Sequence, residues 1–182
     1  MNNLIDRPKE DEHDSYYAPY LQLVTETDLM EQLETQPGRL WSLLGDVTAD
    51  EADLLHAPYT WSIKEVIGHC IDNERVFGYR ALRFASGDST DLPGYDQDSY
   101  VANSHYEPLK LDDLLTEFEY VRRANIAMLK RISPESWNHR GTNDGKEITV
   151  RAIAWLLAGH LRHHLNIIRK RIGKEDSRGT IE

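Results

Sequence analysis

His160 and His164 have the spacing of two metal ligands on one helix, with three residues between them. One helical turn separates the two imidazoles and places them on the same side, so both can bind one ion. Leu156, Leu157 and Ile168 fall in the same angular sector, so both rings are expected to point into the protein. Without a metal, each unsatisfied ring nitrogen would cost about 1 to 3 kcal/mol there. The pattern suggests a metal site, although spacing alone does not establish one.

His69 is the candidate third ligand, because it lies near the edge of the apolar face of another predicted helix. The residues themselves leave two alternatives open. His69 could be a hydrogen-bonded core histidine, with His160 and His164 as a pair on a helix surface. His163 is a competing ligand, since it also lies one turn from His160, but His164 is closer to the centre of the apolar sector.

Four long amphipathic segments must position these histidines. They cover residues 27–46, 62–85, 111–132 and 149–173. In each of them apolar residues recur every three or four positions, and no alternating strand pattern occurs elsewhere. Ser62 and Glu65 fit a capping box at the start of the second segment, and Thr149 is a suitable cap for the fourth. The segments predict an all-α protein, a four-helix bundle.

The connections between these segments give the domain organisation. Residues 86–108 are rich in glycine, proline and aspartate, and they predict a long loop between the second and third main helices that could cover a site. Residues 140–147, RGTNDGKE, predict a turn. We expect residues 1–22 to be an arm whose tyrosines pack on a single domain at 23–173, followed by a polar tail at 174–182.

Four stretches of the sequence resemble, in order and spacing, the DinB-like family of bacterial four-helix bundles, a group of metal-dependent hydrolases. They are YTWSIKEVIGHCIDNERVFGYRALRFASGD, LPGYDQDSYV, EFEYVRRANIAML and ITVRAIAWLLAGHLRHHLNIIRKR, within roughly residues 24 to 172. The resemblance implies a bundle of the DinB/YfiT-like type and a homodimer. It also implies metal ligands at one histidine late in the WS-containing segment and at two histidines four apart on the last helix. These positions match His69, His160 and His164.

Three neutral imidazoles leave at least one coordination position open, as in catalytic zinc sites. We expect a divalent transition metal, zinc or nickel, because imidazole suits several first-row metals. The predicted function is a metal-dependent enzyme, either a hydrolase or, as in some relatives, a transferase that uses a low-molecular-weight thiol. A metal-binding or stress-response protein without turnover and a metal-free helical scaffold are the alternatives.

A hydrolase also needs a base near the metal and a pocket for a small-molecule substrate. The candidate bases are Asp72, Glu74, His163, Asp96 and Asp98. Asp72 and Glu74 could instead be solvated, and the two loop aspartates could cap turns. Trp61, Tyr95 and Tyr100 are candidate lining groups of the pocket, although core packing would also explain them.

Composition and charge narrow the possible partners and the location. With 31 acidic and 21 basic residues the formal net charge is −10, which disfavours binding to nucleic acid. One basic cluster near the end of the last helix is expected to be a solvated face: Arg162, Arg169, Lys170 and Arg171. No apolar run is long enough for a signal peptide or a membrane span, and Cys70 is the single cysteine. A cytoplasmic protein without membrane association is therefore predicted.

Overall fold

A computed structural model of the chain describes residues 5–174, and most of this part is helical. In chain order the helices are α1 (Ala18–Gln22), α2 (Leu29–Leu44), α3 (Ala49–Asp53), α4 (Ile63–Ala85), α5 (Gln97–Asn103), α6 (Leu111–Leu129) and α7 (Val150–Arg171). Single 3₁₀ turns cover Glu10–Glu12, Ser15–Tyr17 and Ser136–Asn138. The four long helices, α2, α4, α6 and α7, begin and end within three residues of the predicted segments. The predicted all-α bundle is confirmed.

The two helices that carry the histidines begin at the predicted caps. At the start of α4 the Ser62 hydroxyl accepts from the Glu65 amide at 3.2 Å, and the Glu65 carboxylate accepts from the Ser62 amide at 2.7 Å. This is a complete capping box. At the start of α7 the Thr149 hydroxyl accepts from the Ala152 amide at 3.1 Å. These bonds satisfy amides that have no partner within the helix, so both helices have well-defined first turns.

The long helices pack in an order that differs from their order along the chain. α4 packs against α6 and α7, and α2 packs against the same two helices on the opposite side. Consecutive long helices α2 and α4 therefore lie diagonally across the bundle. Apolar side chains fill it in two clusters, one around Phe84 and Trp155 and one around Ile67 and Phe118. This arrangement places α4 directly beside α7, where a histidine on one can meet the pair on the other.

A charged network crosses the middle of the bundle. Arg122 on α6 is fully buried, and its guanidinium donates to the Glu74 carboxylate on α4 at 2.6 and 3.0 Å. It also donates to Gln36 Oε1 on α2 at 2.6 Å and to the Leu157 carbonyl oxygen on α7 at 3.2 Å. Asn125 Nδ2 donates to Glu74 Oε2 at 2.9 Å. Glu74 is therefore not solvated, and the positive charge of Arg122 balances it in the core.

Residues 140–149 form a β-hairpin, where the sequence reading expected a turn and no strands. β1 (Arg140–Asn143) and β2 (Lys146–Thr149) pair in antiparallel fashion. Asp144 and Gly145 connect them with φ values of 53° and 71°, as in a type I′ turn. Strands of only four residues are too short to show an alternating pattern, but the Asp-Gly pair is a turn signal that fits this hairpin.

The described part of the N-terminal arm, residues 5–22, lies against the bundle. Trp155 Nε1 on α7 donates to the Asp6 carbonyl oxygen at 2.9 Å. Tyr17 is buried, whereas Tyr16 is largely exposed. Residues 1–4 of the predicted arm lie outside the described residues, as does the predicted tail apart from Lys174.

Two arginines differ from expectation. Arg162, predicted to lie in a solvated basic face, donates with both Nη atoms to the Glu26 carboxylate at 2.7 Å. Arg80 lies outside the apolar positions that recur every three or four residues on α4, yet it is 3% exposed and donates to the Pro93 carbonyl oxygen at 3.0 Å. Both side chains reach loops that pack over the helices. Helical periodicity reports the faces turned to other helices and does not show which loop will cover the rest.

The loop predicted for residues 86–108 contains the short helix α5.

Within residues 5–174, no helix combines the length and the apolar character that crossing a bilayer requires.

Candidate metal centre

The three predicted ligands meet between α4 and α7. The Nε2 atom of His160 lies 3.1 Å from Nε2 of His69 and 3.3 Å from Nε2 of His164. One ring nitrogen from each of the three residues lies within 4.8 Å of the others. The structure therefore brings the three imidazoles together, and their binding of a metal ion stays a prediction.

The three nitrogens cannot all satisfy one another by hydrogen bonds. An imidazole Nε2 carries either one proton or one lone pair in the ring plane, so it takes part in one good hydrogen bond. His160 Nε2 nevertheless has two nitrogen neighbours, at 3.1 and 3.3 Å. At least one of these contacts is left without a proper hydrogen bond, at a cost of about 1 to 3 kcal/mol where the group is buried. A cation that accepts three lone pairs would satisfy all three nitrogens, so this donor set fits a metal ion.

Two of the three nitrogen separations are those of ligands around one ion, and the third, between His69 and His164, is within 4.8 Å. Two nitrogens bound to a tetrahedral zinc ion at about 2.0 to 2.1 Å lie about 3.3 to 3.4 Å apart. Neighbouring nitrogens around an octahedral ion with similar bond lengths lie about 3.0 Å apart. The observed separations of 3.1 and 3.3 Å fall in this range. They suit zinc and nickel alike and do not choose between them.

Burial keeps the three imidazoles in the neutral form that binds metals. It lowers the pKa of His69 to about 4, with a smaller contribution from the neighbouring His163. The pKa values of His160 and His164 also lie well below the usual value, first because of burial and then because of the other histidines. A neutral imidazole keeps a lone pair on one of its two ring nitrogens, so metal binding near pH 7 does not have to displace the second proton of an imidazolium.

Two aromatic side chains enclose the histidine cluster. The Trp61 ring centroid lies 5.0 Å from that of His69, and the Tyr20 ring centroid lies 5.7 Å from that of His160. Tyr20 reaches this place because α1 packs closely on α7 at Gly159. A Cβ at Gly159 would lie 2.2 Å from the Tyr20 carbonyl oxygen, so only glycine permits this approach. The aromatic rings exclude water from two sides of the cluster.

His163 stands beside the cluster and is not part of it. Its ring centroid lies 5.0 Å from that of His164 and 5.2 Å from that of Tyr20. The side chain is half-buried, and burial lowers its pKa. The grouping of ring nitrogens therefore includes His164 rather than the competing His163.

Three of the four candidate carboxylate bases have other partners, and the fourth, Asp98, is exposed. Asp72 accepts a hydrogen bond from the Tyr106 hydroxyl at 2.6 Å. Glu74 is held in the buried ion pair described above. Asp96 caps α5 by accepting from the Asp98 amide at 3.1 Å, and both of these aspartates are exposed. Of the predicted bases, His163 therefore stands nearest to the three histidines without a competing structural role.

A cavity of about 250 Å³ extends from His160 towards the hairpin. Tyr95 lies on its wall, as predicted for a lining group, and Tyr100 is exposed and packs on Tyr95 with ring centroids 5.1 Å apart. The sequence reading missed several polar residues of the wall, among them Arg80, Asn143 and Lys146. Asn143 and Lys146 flank the Asp-Gly turn, so recognising the hairpin from the sequence would have placed these two residues opposite each other on the paired strands. No local pattern shows that the hairpin lies near α4.

Among curated proteins, none matches the chain significantly. One similar solved structure is that of YfiT from Bacillus subtilis, described as a probable metal-dependent hydrolase with an unusual four-helix bundle topology. The two structures share a TM-score of 0.70 at 16% sequence identity, over 92% of this chain and 94% of that chain. At this identity the likeness shows the fold alone. The family model of the DinB superfamily matches residues 32–168, a range that includes all three clustered histidines. The chain therefore belongs to the DinB superfamily.

Proposed function

We propose that the protein is a metal-dependent hydrolase in which His69, His160 and His164 bind one zinc or nickel ion. The observation that carries the proposal is the pair of Nε2 separations, 3.1 and 3.3 Å, around a nitrogen that can form only one hydrogen bond. The description of YfiT as a probable metal-dependent hydrolase supports it, since that protein shares the fold. When bound, such an ion supplies Lewis-acid activation of a water molecule and of a substrate carbonyl group.

The chain's own residues supply the remaining parts of the site. The imidazoles, of which His69 and His160 are buried and His164 is half-buried, converge from two helices, which presents three lone pairs in a fixed arrangement. Trp61 and Tyr20 exclude bulk water from the cluster, which strengthens electrostatic interactions inside it. His163 is neutral near pH 7, so its ring can accept a proton from a nearby reacting group. The cavity beside His160 gives a small substrate access to the cluster.

Elemental analysis of the untagged protein tests the metal site. We expect about one zinc or nickel ion per chain, and loss of the ion in His69→Ala, His160→Ala and His164→Ala. His163→Ala is the matched control, because it removes a neighbouring imidazole on the same helix and should retain the ion. Circular dichroism establishes that each variant is folded. A folded wild type that binds neither added zinc nor added nickel would exclude the metal site and leave a helical scaffold.

Turnover is tested on the metal-loaded protein with a panel of small esters and amides. Under this proposal His163→Ala lowers kcat by about 10² to 10⁴ while the metal content is unchanged. If no member of the panel is hydrolysed, a second assay follows the visible spectrum of the cobalt-substituted protein during addition of a low-molecular-weight thiol. A shift would replace the hydrolase proposal with the thiol-dependent transferase, and its absence would favour metal binding without turnover.

Sedimentation of the same sample tests the proposed homodimer.

A further inference from the structure

The cavity beside His160 is enclosed by parts of the chain that are far apart in sequence. Tyrosines of the arm and of α1 form one wall, and α4 contributes Phe77 and Arg80. Tyr95 from the loop before α5 and Asn143 from the hairpin close the remaining sides. A volume of about 250 Å³ is slightly below the usual range for small-molecule sites, which begins at about 300 Å³, so the cavity suits a compact ligand.

Arg80 brings a positive charge to this wall without a paired carboxylate. Its side chain is 3% exposed, and one Nη2 hydrogen bond to the Pro93 carbonyl oxygen at 3.0 Å uses only part of its five N–H donors. Its guanidinium carbon lies 4.8 Å from the Phe77 ring centroid, which fixes its orientation. Among the described residues, no carboxylate lies within 4.0 Å of the guanidinium, and that of Asp144 acts on it only from farther away. Buried guanidinium groups are normally paired, so Arg80 has capacity for an anion.

Asn143 supplies a second donor without a partner. Its side chain is 2% exposed, and its Oδ1 accepts from the Tyr17 hydroxyl at 3.0 Å. Its Nδ2 is buried and has no hydrogen-bond partner within the described residues. A buried amide nitrogen without a partner is destabilising, and a ligand oxygen would supply the missing acceptor.

The remaining charges of the wall cancel. Lys146 and Asp144 form an ion pair at 2.8 Å at the hairpin turn, so Arg80 alone sets the net charge of the cavity at +1. This local charge is opposite in sign to the net charge of the whole chain, −10. Aromatic rings cover much of the remaining lining, including those of Tyr17 and Phe77.

We propose that this cavity binds the carboxylate of a small aromatic acid, with Arg80 and Asn143 donating to its oxygens. One guanidinium and one amide match a planar group with a single charge better than a phosphate with two. The aromatic part of the acid would pack against the tyrosine and phenylalanine rings. This inference deepens the proposed function, because His160 lies on the wall of the cavity. The role of the cavity as a substrate site rests on that proposed function.

Calorimetric titration of the metal-free, chelator-treated protein tests this carboxylate site. Benzoate is the probe, benzamide is its neutral analogue, and inorganic phosphate represents the alternative anion. We expect benzoate to bind at least about tenfold more tightly than either, since a tenfold ratio corresponds to about 1.4 kcal/mol. Omitting the metal prevents direct coordination of the carboxylate and separates this test from that of the metal site.

Two variants assign the donors. Arg80→Met and Asn143→Leu should each weaken benzoate binding at least about tenfold, which is modest for the loss of a charge-assisted hydrogen bond. Asn143→Leu removes the amide donor without adding a charge and nearly preserves the shape of the side chain, so it reports on the donor even where Arg80→Met disturbs the fold. Arg83→Met is the matched control on the same helix, because Arg83 pairs with Asp88 outside the cavity and its loss should leave binding unchanged.

Each outcome of the benzoate titration either supports or overturns the proposed carboxylate site. Benzoate binding that depends on Arg80 and Asn143 supports the inference, even where elemental analysis finds no metal. Equal binding of benzoate and benzamide, or full binding in both variants, would overturn it. Tighter binding of phosphate would show that the carboxylate assignment is wrong. A metal-binding protein that takes up no benzoate would leave the metal centre standing and remove this inference alone.

Discussion

Arg122 and Glu74 show how single residues control the stability of this bundle. Their ion pair is buried, and its hydrogen bonds reach α2 and α7 as well as the two helices that carry it. Removal of both charges from water is costly, and the network compensates for that cost only while each partner is present. Replacing one partner therefore lowers the free energy of unfolding by more than the small net contribution of the intact pair.

Arg122→Met is expected to lower the free energy of unfolding by about 3 to 5 kcal/mol, because it leaves the Glu74 carboxylate buried without a counterion. Urea unfolding followed by circular dichroism measures the change. Arg123→Met is the control, since Arg123 pairs with Glu119 on the surface and should contribute about 0.5 kcal/mol or less. Glu74→Leu added to Arg122→Met should recover part of the loss. Equal costs for the two arginine variants would contradict this account.

Glu26 gives the folded protein a defined response to acid. Its bidentate hydrogen bonds from Arg162 lower its pKa from 4.5 to about 2, so the unfolded chain binds a proton at a higher pH than the folded chain does. The contribution of this pair is therefore complete above pH 4.5 and is lost as the pH falls towards 2.

Unfolding free energies of wild type and Glu26→Gln, measured from pH 6 to pH 3, should converge as the pH falls. In an Arg162→Met background the same Glu26→Gln change should show little dependence on pH, because the partner that lowers the pKa is absent. A constant difference between wild type and Glu26→Gln across this range would show that the ion pair does not lower the Glu26 pKa.

At the scale of elements, two short pieces complete the site that the long helices begin. α1 presents Tyr20 to the histidine cluster, and the hairpin presents Asn143 to the cavity. Neither piece has a core of its own, so each is positioned by contact with α7 or with the loops around it. Changes at those contacts should alter the site without changing the bundle.

Gly159→Ala tests the contact between α1 and α7. The new Cβ would lie 2.2 Å from the Tyr20 carbonyl oxygen, so α1 must shift, at a cost of about 1 to 3 kcal/mol in unfolding free energy. Gly38→Ala is the matched control within α2, because a Cβ there meets nothing within 4 Å. It should stabilise the protein by up to about 1 kcal/mol through helix propensity. Urea midpoints measure both, and destabilisation by both changes would contradict the packing argument.

At the scale of the whole molecule, the proposed metal site joins α4 and α7 and should therefore contribute to global stability. An ion that binds the folded chain alone stabilises it by about 2.7 kcal/mol at a free concentration of 100 times Kd. For a chain of 182 residues this corresponds to a Tm increase of about 5 to 10 °C.

Calorimetry with and without a chelator measures this increase. The Tm of wild type should fall on removal of the metal and return when zinc or nickel is added. His164→Ala should show the lower Tm under both conditions, whereas His163→Ala should respond as the wild type does. An equal response of His164→Ala and wild type would place the stabilising ion elsewhere.

The sequence by itself determined the parts of this protein that depend on local periodicity. The four long helices, the capping box at Ser62 and the inward face of α7 all follow from spacing within one segment. The preference for His164 over His163 likewise rested on the angle of each residue on its own helix, and the structure groups His164 with the other two, while its role as a metal ligand stays a prediction. Local chemistry suffices where the partners lie within one or two turns of the chain.

The tertiary structure decided which distant segments meet. The diagonal placement of α2 and α4 sets α4 beside α7 and brings His69 to His160, 91 positions away along the chain. The same packing buries Glu74 with Arg122 and turns Arg80 and Asn143 towards one cavity. Helical periodicity shows that one face of a helix is buried, but it does not show which other helix that face packs against. Many different helix pairings would bury the same apolar area. Only the packed chain selects one arrangement, and the cavity beside His160 exists through that selection.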